Sequence, residues 1–467
     1  MATYSVINLS KLEGVKRIDA EFYNPNYFID FSKGNWKHVK NFLEICQYGI
    51  SQAMTEEPKG YSIFRMDDIK GCFLLDDEVK YLELPEQVFL QYKLEMNDIL
   101  FNRVNSEEFV GRTGIFKLAG DYVFASYLIR LRLKPNSEIL PGYLNIFMNT
   151  KYGIKQIRRF SRRAVNQANV NAEELKNFKI CVISLEIQQH ICRLLDEAWK
   201  QIVLSKSLYF QAKTFLLEEL GLKDFKPNYK NSYTANLSDV FTASRMDAEY
   251  FQPAYDEVIE KIKKYPNGFG KLLKYVENVK PNFDPTKNPE QIFPYIELSN
   301  IDPSIGVIQS ISKTKGDEAP SRARRVLKES DVIVSSIEGS LEKVALVDTD
   351  HNGSLASTGF FQFRSTNIRP EVLLIISKTI ILQSQLKKQC SGTILTAVPK
   401  ESLRNIIIPL LPPSAQQKIA SFIQQSHLAR KKAGELLEVA KMAVEIAIEK
   451  DEKNALNYIS SESSSFF

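Results

Sequence analysis

The chain has 467 residues, of which 44% are hydrophobic and 25% charged, the balance of an ordinary folded protein. Its length predicts two or more domains, and its net charge of +5 permits an anionic partner. Five scattered cysteines and four histidines argue against a disulfide framework, a zinc site or histidine-based catalysis. Because no apolar run is long enough for a signal peptide or a membrane span, we expect a cytoplasmic protein.

The chain contains an internal repeat, with the second copy displaced by 228 residues. Nine of the twenty positions from 8 to 27 are identical at that offset, and identities return near the end of each copy. The matching segments are Asn8–Ser10 with Asn236–Ser238, Arg17–Glu21 with Arg245–Glu249, and Gln188–Gln189 with Gln416–Gln417. Between these segments the copies differ in length and composition. A duplicated frame around two dissimilar inserts favours a protein that recognises two different targets at a fixed separation.

Each copy begins with a polar segment and continues with short runs of β-branched and aromatic residues between turn signals, which predict strands. In the first copy, a short helix is predicted to begin near Pro141, because proline suits a first helical turn. The predicted strands are Ile63–Met66, Asp98–Phe101 and Leu128–Leu133 in the first copy, and Tyr295–Leu298, Asp331–Val334 and Phe360–Phe363 in the second.

Each copy closes with a predicted long helix. The first runs from about Glu186 to Glu219, and the second begins after a double proline with Ser414 as its N-cap. Both carry apolar and small residues at alternating three- and four-residue steps, as expected of helices that pack along their length. The alternative is that each stripe merely docks on its own domain. Residues 222–236 are predicted to be a polar linker, and the serine-rich end a flexible tail.

Motifs that would indicate catalysis are weak. Asn24–Tyr27 faintly resembles the Asn-Pro-Pro-Tyr signature of amino-methyltransferases, but the second proline is missing and no glycine-rich cofactor loop precedes it. Asp76–Lys80 contains the Glu-x-Lys spacing that nucleases use, without a convincing partner carboxylate or a counterpart in the second copy. No phosphate-binding loop of the form G-x-x-x-x-G-K-[ST] occurs. Structural roles are the favoured interpretation of both segments, and no catalytic site is predicted.

Two clusters of basic residues, one in each copy, are more informative. Such clusters neutralise phosphates; arginine can also contact guanine, while asparagine and glutamine suit adenine. One cluster alone is more often a solvated surface, but a cluster in each divergent insert favours nucleic-acid binding. The first contains Lys151, Lys155, Arg158, Arg159, Arg162 and Arg163 and precedes a polar loop at Asn166, and the second contains Lys313, Lys315, Arg322, Arg324, Arg325 and Lys328.

Loops that follow strands supply a second group of candidate DNA-contacting residues, because a sheet can position a loop without fixing its sequence. These candidates are Arg103, Asn105 and Arg112 after the strand that ends at Phe101, Ser335 and Ser336 at the equivalent place in the second copy, Tyr48 and Ser51 in an earlier loop, and Arg65 in the first predicted strand.

The start of the second long helix carries a further motif. Ile406–Ile419 contains the pattern apolar-Pro-x-x-Pro-Pro-x-x-Gln-Gln-x-Ile, which resembles the corresponding segment of type I restriction-modification specificity subunits. The resemblance extends from Asn8 to about Lys450. The first copy departs from the pattern, since Cys181–Glu186 lacks the prolines while Gln188 and the next glutamine remain. This departure loosens the predicted start of the first helix but leaves its position intact.

The resemblance implies an α+β fold with two mixed α/β target-recognition domains, each followed by a long helix, and the two helices packed as an antiparallel coiled coil. Each domain would read one half of a bipartite site in double-stranded DNA, and the helix pair would set the gap between the halves. The implied segments are recognition domains at 1–185 and 237–413, long helices at 186–221 and 414–456, a linker at 222–236 and a flexible tail at 457–467.

The resemblance also implies that this chain is not an enzyme and binds no cofactor. Two DNA adenine methyltransferase (modification) subunits would use S-adenosylmethionine, and restriction subunits would use ATP and Mg²⁺ for translocation and cleavage. Three alternatives stay open. They are the specificity subunit of another methylation-linked phage-defence system, a scaffold that binds only proteins through its helices, and a methyltransferase or nuclease whose active site is not apparent in the sequence.

Overall fold

The computed structural model describes residues 6–12, 17–164, 167–392 and 396–463. The chain forms two compact units. Unit 1 contains the residues up to Ile202 and those from Lys431 onward, whereas unit 2 is Val203–Arg430. Both boundaries fall inside long helices, so each unit combines the strand-rich region of one copy with part of both helices. The sequence instead predicts consecutive segments, because periodicity alone does not tell against which domain each part of a helix packs.

The described part of the first copy contains short strands followed by a long helix. Its strands are β1 Trp36–His38, β2 Leu43–Tyr48, β3 Tyr61–Phe64, β4 Ile69–Lys70, β5 Phe73–Leu74, β6 Lys80–Leu82, β7 Ile99–Asn102, β8 Val104–Asn105, β9 Thr113–Ile115, β10 Tyr122–Phe124, β11 Leu128–Leu133, β12 Arg162–Ala164, β13 Gln167–Asn169 and β14 Lys179–Cys181. Its helices are α1 Glu86–Tyr92, α2 Pro141–Met148, α3 Lys151–Phe160, α4 Ala172–Lys176 and α5 Leu185–Glu219.

The second copy has the same plan. Its helices are α6 Leu237–Ala243, α7 Pro253–Lys263, α8 Pro370–Lys378, α9 Ile380–Gln389, α10 Pro413–Glu449 and α11 Glu452–Ser463. Its strands are β15 Phe269–Lys271, β16 Val276–Asn278, β17 Ile292–Ile296, β18 Ile301–Asp302, β19 Val307–Ile308, β20 Ser312–Lys315, β21 Ala323–Val326, β22 Asp331–Ser335, β23 Val344–Leu346, β24 Leu355–Ser357, β25 Phe360–Ser365 and β26 Ile407–Pro409.

The strands of the two units pair in the same order. The central sheet of unit 1 has the order β2-β11-β7-β9-β5-β4, and the corresponding strands of unit 2 form the sheet β16-β25-β22-β23 and the pair β18-β19. A second sheet in each unit contains one parallel pair, β3 with β10 and β17 with β24. The strand before each long helix pairs with the first strand of its copy, as β14 with β1 and β26 with β15. The mixed α/β class and the internal repeat are therefore confirmed.

A buried aspartate anchors the central antiparallel strand pair of each unit. Asp98 lies just before β7 and accepts hydrogen bonds from Nε and Nη2 of Arg132 on β11, both at 2.7 Å. Asp331 begins β22 and accepts hydrogen bonds from Nε and Nη2 of Arg364 on β25, both at 2.9 Å. Each bidentate pair joins neighbouring strands in one register. A shift of either strand would therefore leave a buried carboxylate without its partner.

The repeated Arg-x-Asp segment holds the end of a helix in each unit. Arg17 donates to the carbonyl oxygen of Phe160, the last residue of α3, at 3.0 Å. Arg245 donates to the carbonyl oxygen of Gln389, the last residue of α9, at 3.2 Å. In both cases the aspartate two residues later accepts from the same guanidinium, at 2.8 Å in unit 1 and 2.7 Å in unit 2. A cation suits this place because the last carbonyls of a helix lack intrahelical donors. The shared interaction identifies α9 as the counterpart of α3.

The two long helices pack against each other within each unit. In unit 1, Ile191 from the first half of α5 and Ala440 from the second half of α10 lie in one buried core. In unit 2, Ser205 from the second half of α5 lies against Ser426 from the first half of α10, and the buried hydroxyl oxygens are 3.2 Å apart. The predicted antiparallel coiled coil is therefore confirmed.

The C-terminal end differs from the sequence prediction. A single helix to residue 456 and a flexible tail are expected, whereas α10 ends at Glu449 and α11 follows. The carboxylate of Asp451 accepts a hydrogen bond from the backbone amide of Asn454 at 2.8 Å, which caps the new helix. Ala455 and Ile459, one turn apart, are buried in the core of unit 1. The serine-rich composition makes these two apolar positions hard to notice in the sequence. Their burial holds α11 against the core of unit 1.

Replacing Asp98 by alanine should lower the free energy of unfolding of unit 1 by about 3–5 kcal/mol, because Arg132 would lose its buried partner and keep only the exposed Glu95. Asp121→Ala is the matched control. Asp121 pairs with Lys93 at 2.7 Å, but both side chains are largely exposed, so the expected loss is about 0–1 kcal/mol.

Tryptophan fluorescence during urea unfolding can measure this difference. The chain has two tryptophans, Trp36 and Trp199, and both lie in unit 1. The fluorescence signal therefore reports on the unit that contains both substituted aspartates. Equal shifts of the unfolding midpoint in the two variants would contradict the anchoring role of Asp98.

Candidate nucleic-acid interface

The strands that carry the candidate residues of unit 1 end together at one edge of the central sheet. Tyr48, at the end of β2, pairs with Ile129 of β11. Asn102, at the end of β7, pairs with Leu128, and the next amide, that of Arg103, donates to the carbonyl oxygen of Tyr127 at 3.0 Å. Tyr48 and Tyr127 are 40% and 50% exposed, large fractions for aromatic side chains. This edge is called the unit 1 edge below.

Arg103 is held in place by aromatic stacking at the unit 1 edge. Its guanidinium carbon lies 4.8 Å from the ring centroid of Tyr48. The Tyr48 hydroxyl accepts a hydrogen bond from the backbone amide of Ala172 at 2.9 Å, which fixes the ring. Within the described part of the chain, Nε of Arg103 is buried without a hydrogen-bond partner, so this nitrogen is not open to a ligand. A guanidinium stacked on an aromatic ring is suited to planar recognition through its terminal nitrogens.

Asn105 lies beside this arginine on a small three-stranded sheet of the order β12-β13-β8. Its side-chain oxygen accepts from the backbone amide of Ser106 at 2.8 Å. On the outer strand β12, Arg162 pairs with Glu174 at 2.8 Å and Arg163 pairs with Glu107 at 2.5 Å. Both arginines are exposed despite these ion pairs. Asn166, a further candidate, lies outside the described residues.

The remaining candidates of unit 1 lie nearby in sequence but differ in their surroundings. Ser51 is exposed and follows Ile50, which forms a parallel bridge with Ala125 next to the unit 1 edge. The guanidinium of Arg112 lies 3.9 Å from the ring centroid of Phe109, in the loop that closes after Arg103. Lys155 is half-buried on α3.

Three predicted contact residues of unit 1 are engaged inside the fold. Arg65 binds Asp68 at 3.3 Å and donates to the carbonyl oxygen of Glu78 at 2.6 Å, which stabilises a turn. Arg159 is buried, with its guanidinium carbon 4.4 Å from the ring centroid of Phe22. Arg158 donates to the backbone carbonyl oxygens of residues 107 and 108. The charged groups of Arg65 and Arg159 face protein partners, which gives both residues a structural role, and their contact with DNA stays a prediction.

Unit 2 has an equivalent edge built from different side chains. Ser335 pairs with Phe360 as Asn102 pairs with Leu128 in unit 1. Ser335 is buried and its hydroxyl lies 3.0 Å from that of Ser340, which stabilises the turn, and its contact with DNA stays a prediction.

Ser336 follows at the position equivalent to Arg103. Its hydroxyl donates to the carbonyl oxygen of Gly359 at 2.9 Å. In the same turn the amide of Thr358 donates to the carbonyl oxygen of Arg322 at 2.8 Å, and the Arg322 side chain is exposed. This group is called the unit 2 edge below.

The residues of the second basic cluster differ in exposure. Lys313 and Lys315 are exposed on β20, an outer strand of its sheet, and Lys315 lies 3.2 Å from Glu290. Arg324 forms an ion pair with Asp284 at 2.6 Å. Arg325, by contrast, is buried and donates to the backbone carbonyl of residue 279 at 2.6 Å. Burial lowers the pKa of Arg325 to about 10, so the guanidinium still carries its charge at neutral pH.

The two basic clusters occupy different places in the repeated frame. The first lies on α3 and β12, and the counterpart of α3 is α9, whereas the second lies on β20 and β21. In the sequence the two clusters look equivalent because of their similar composition. The strand order shows that they come from different parts of the two inserts.

Tyr127 is a surface residue that the sequence analysis misses. It lies in the turn directly before the strand Leu128–Leu133, which the sequence does predict. The sequence did contain a signal for its exposure, because Tyr127 lies in a turn just before a buried strand. Side chains in turns usually face solvent, even when they are aromatic.

The described residues contain no group of three or more His, Cys, Asp and Glu side chains that could hold a metal ion. All five cysteines are free thiols. The segment that resembles a methyltransferase motif forms a 3-10 turn at Pro25–Tyr27. In the acidic segment, Asp76 accepts from the hydroxyl of Tyr122 at 3.0 Å, which ties it to the fold. No helix in the described ranges is long and apolar enough to cross a membrane.

Comparison with known proteins identifies the family. The type I restriction modification DNA specificity domain matches residues 35–213 and 270–439, the greater part of the chain and both copies of the repeat. The chain therefore belongs to the family of type I restriction modification specificity proteins. Specificity subunits of this family are not themselves enzymes.

Individual relatives match only part of their length. A specificity subunit of the type I restriction enzyme MjaX from Methanocaldococcus jannaschii is 28% identical over 34% of this chain and 38% of that protein. The EcoKI specificity subunit from Escherichia coli is 24% identical over 38% of this chain and 37% of that protein. The matches thus span well under half of each curated relative.

Two solved structures are also similar. The HsdS subunit from Thermoanaerobacter tengcongensis is 27% identical, with a TM-score of 0.29, over 43% of this chain and 47% of that chain. The S subunit of a type I restriction-modification system from M. genitalium is 13% identical, with a TM-score of 0.38, over 94% of this chain and 98% of that chain.

Proposed function

We propose that this chain is the DNA-reading subunit of a type I restriction-modification system and that each unit reads one half of a bipartite, asymmetric site. One observation carries the proposal: the two units share a strand order but present different side chains at equivalent strand ends. At these ends unit 1 has Arg103 stacked on Tyr48, and unit 2 has Ser336 beside Arg322. A shared strand order with different side chains at the strand ends suits the reading of two different DNA sequences.

The chemistry of the edges supports a division between reading and positioning. A stacked arginine such as Arg103 can reach O6 and N7 of guanine in the major groove, and Asn105 suits adenine. Exposed cations in each unit, Arg162 in unit 1 and Lys313 and Lys315 in unit 2, suit phosphates, which carry no sequence information but fix orientation. Both groups are candidates for contact with double-stranded DNA.

The catalytic steps belong to partners in this proposal. Two DNA adenine methyltransferase subunits would supply methylation with S-adenosylmethionine, and restriction subunits would supply ATP- and Mg²⁺-dependent translocation and cleavage. The chain would act in the cytoplasm, where these partners meet DNA. The long helices α5 and α10, each continuous through parts of both units, would set the number of unread base pairs between the half-sites.

Removing a reading arginine should affect cognate DNA alone. Arg103→Ala should weaken binding of the assembled complex to its cognate duplex by roughly 1–3 kcal/mol, with little effect on a scrambled duplex. Lys155→Ala is the comparison, because a lost phosphate contact should weaken both duplexes alike and lower the salt slope by about one unit. Binding of both duplexes is measured across a salt series.

The sequence also predicts Arg158 as a phosphate contact. Lys155 is the better choice for this experiment, because the Arg158 guanidinium already donates to backbone carbonyls. If Arg103→Ala weakened both duplexes equally, the loop would position DNA without reading it. Methyl transfer or cleavage by the purified chain alone would contradict the non-catalytic role.

Exchange of one insert should change one half-site. Replacing residues 28–175 with the corresponding region of a related specificity subunit should alter one half of the methylated sequence and leave the other intact. The reason is that the exchanged region contains the unit 1 edge, whereas the unit 2 edge is untouched. Sequencing of methylated adenines in a host that carries the chimaera gives the result, and a change in both halves would refute the assignment.

Lengthening both helices together should change only the gap between half-sites. Insertion of seven residues into α5 alone or α10 alone should disrupt the seam, whereas a matched insertion in both keeps the heptad phase. Seven helical residues rise about 10 Å, roughly three base pairs of B-DNA. The methylated sequence of the doubly extended variant is mapped, and an unchanged gap in an active variant would exclude the helix pair as the spacer.

A further inference from the structure

One arginine of each basic cluster forms an ion pair at the surface with a carboxylate from another segment. In unit 1, Arg163 lies 2.5 Å from Glu107, and Glu21 is a more distant partner at 3.7 Å. In unit 2, Arg324 lies 2.6 Å from Asp284. The side chains are 38% and 48% exposed in the first pair and 34% each in the second. Because ion pairs this exposed add little to stability, we looked for another role.

Both pairs lie beside residues that are proposed to contact bases. Arg163 of β12 pairs with Ala168 of β13, which in turn pairs with Asn105 of β8. Arg163 is therefore two strands away from Asn105, a separation of about 10 Å. In unit 2, Arg324 follows Arg322 of the unit 2 edge by two residues. The backbone of a DNA duplex whose bases meet these edges would pass close to each ion pair.

The backbone that carries each pair is held in place by hydrogen bonds. Arg158 donates to the carbonyl oxygen of Glu107. The amide of Phe283, the residue before Asp284, donates to the carbonyl oxygen of Arg324 at 3.1 Å. A phosphate can therefore displace either carboxylate through rotation of its side chain, without a change in the backbone.

An arginine that is paired in this way acts differently on distant and on close DNA. At a distance, the opposite charges of the pair largely cancel, and salt screens the remainder over about 8 Å. Loosely held DNA therefore gains little from Arg163 or Arg324. A phosphate in direct contact can replace the exposed carboxylate, because the hydrogen bonds between arginine and phosphate are charge-assisted and bidentate.

We propose that Glu107 and Asp284 are specificity determinants, which withhold Arg163 and Arg324 from loosely bound DNA and release them only to the phosphates of a closely seated cognate half-site. This inference rests on the proposed function. A matching sequence brings the DNA backbone into contact with the arginines, whereas a mismatched sequence leaves both ion pairs closed. Discrimination then comes partly from carboxylates that oppose the wrong DNA and contact no base.

The salt dependence of binding tests the proposal, because its slope counts the phosphates that the protein contacts. Glu107→Gln and Asp284→Asn each remove one carboxylate and preserve the shape of the side chain. In the assembled complex, each should steepen the salt slope for a scrambled duplex by about half to one unit and tighten that binding about two- to fivefold. The slope for the cognate duplex, identified by mapping methylated adenines, should stay the same, since the arginine contacts a phosphate there already.

Two further variants isolate the role of the carboxylate. Glu138→Gln is the matched control, because Glu138 forms an exposed pair with Lys37 at 2.5 Å, in segments without candidate DNA-contacting residues. It changes the net charge equally but should leave both slopes unaltered. Arg163→Gln should lower the cognate slope by about one unit and leave the scrambled slope unchanged. Adding Glu107→Gln to Arg163→Gln should have no further effect on either slope, because the carboxylate acts through that arginine.

The outcomes separate this inference from the proposed function. Steeper slopes for the scrambled duplex alone, in both carboxylate variants and not in Glu138→Gln, support it. Equal changes for both duplexes, no change for either, or the same change in the control overturn it while the proposed function stands. A parent complex that binds both duplexes equally tightly contradicts the proposed function itself. Unchanged circular dichroism verifies that the substitutions leave the fold intact.

Discussion

The pairing of a buried aspartate with an arginine on the neighbouring strand is the constraint on which the rest of each unit depends. Asp98 with Arg132, and Asp331 with Arg364, lie at the same end of the central strand pair. Because side chains alternate between the faces of a sheet, a slip of one residue would turn the whole core face outward. By fixing the register at one end, the ion pair also fixes where the strands stop at the other end. The candidate DNA-contacting residues Arg103 and Ser336 come directly after those strand ends.

In the proposed function, each unit separates the backbone that holds the strand ends from the side chains that would select a DNA sequence. The amide of Arg103 is held by the carbonyl of Tyr127, and the equivalent amide of Ser336 is held by the carbonyl of Gly359. The backbone geometry is shared, while a large aromatic and a cation in unit 1 are replaced by glycine and serine in unit 2. Selection can therefore change without a cost to the fold, because none of these side chains completes the core.

Local signals in the sequence were sufficient for much of the frame but not for the surface. The strand Leu128–Leu133 and the helix start at Pro141 follow from residue patterns within a few positions. The role of Arg159 does not, since its guanidinium meets Phe22, which lies 137 residues earlier, and charge alone resembles a phosphate contact. The same limit applies to α11. Its two buried residues, Ala455 and Ile459, pack against residues that are distant in the sequence, so local patterns do not reveal their burial.

The division of both long helices between the units makes unit 1 discontinuous along the chain. During synthesis every residue of unit 2 leaves the ribosome before the last part of unit 1. Until then, Ile191 and its neighbours on α5 lack the α10 side chains that cover them. A chain that stopped before Lys431 would expose an apolar stripe that invites aggregation. The last residues to be made therefore complete the first recognition unit.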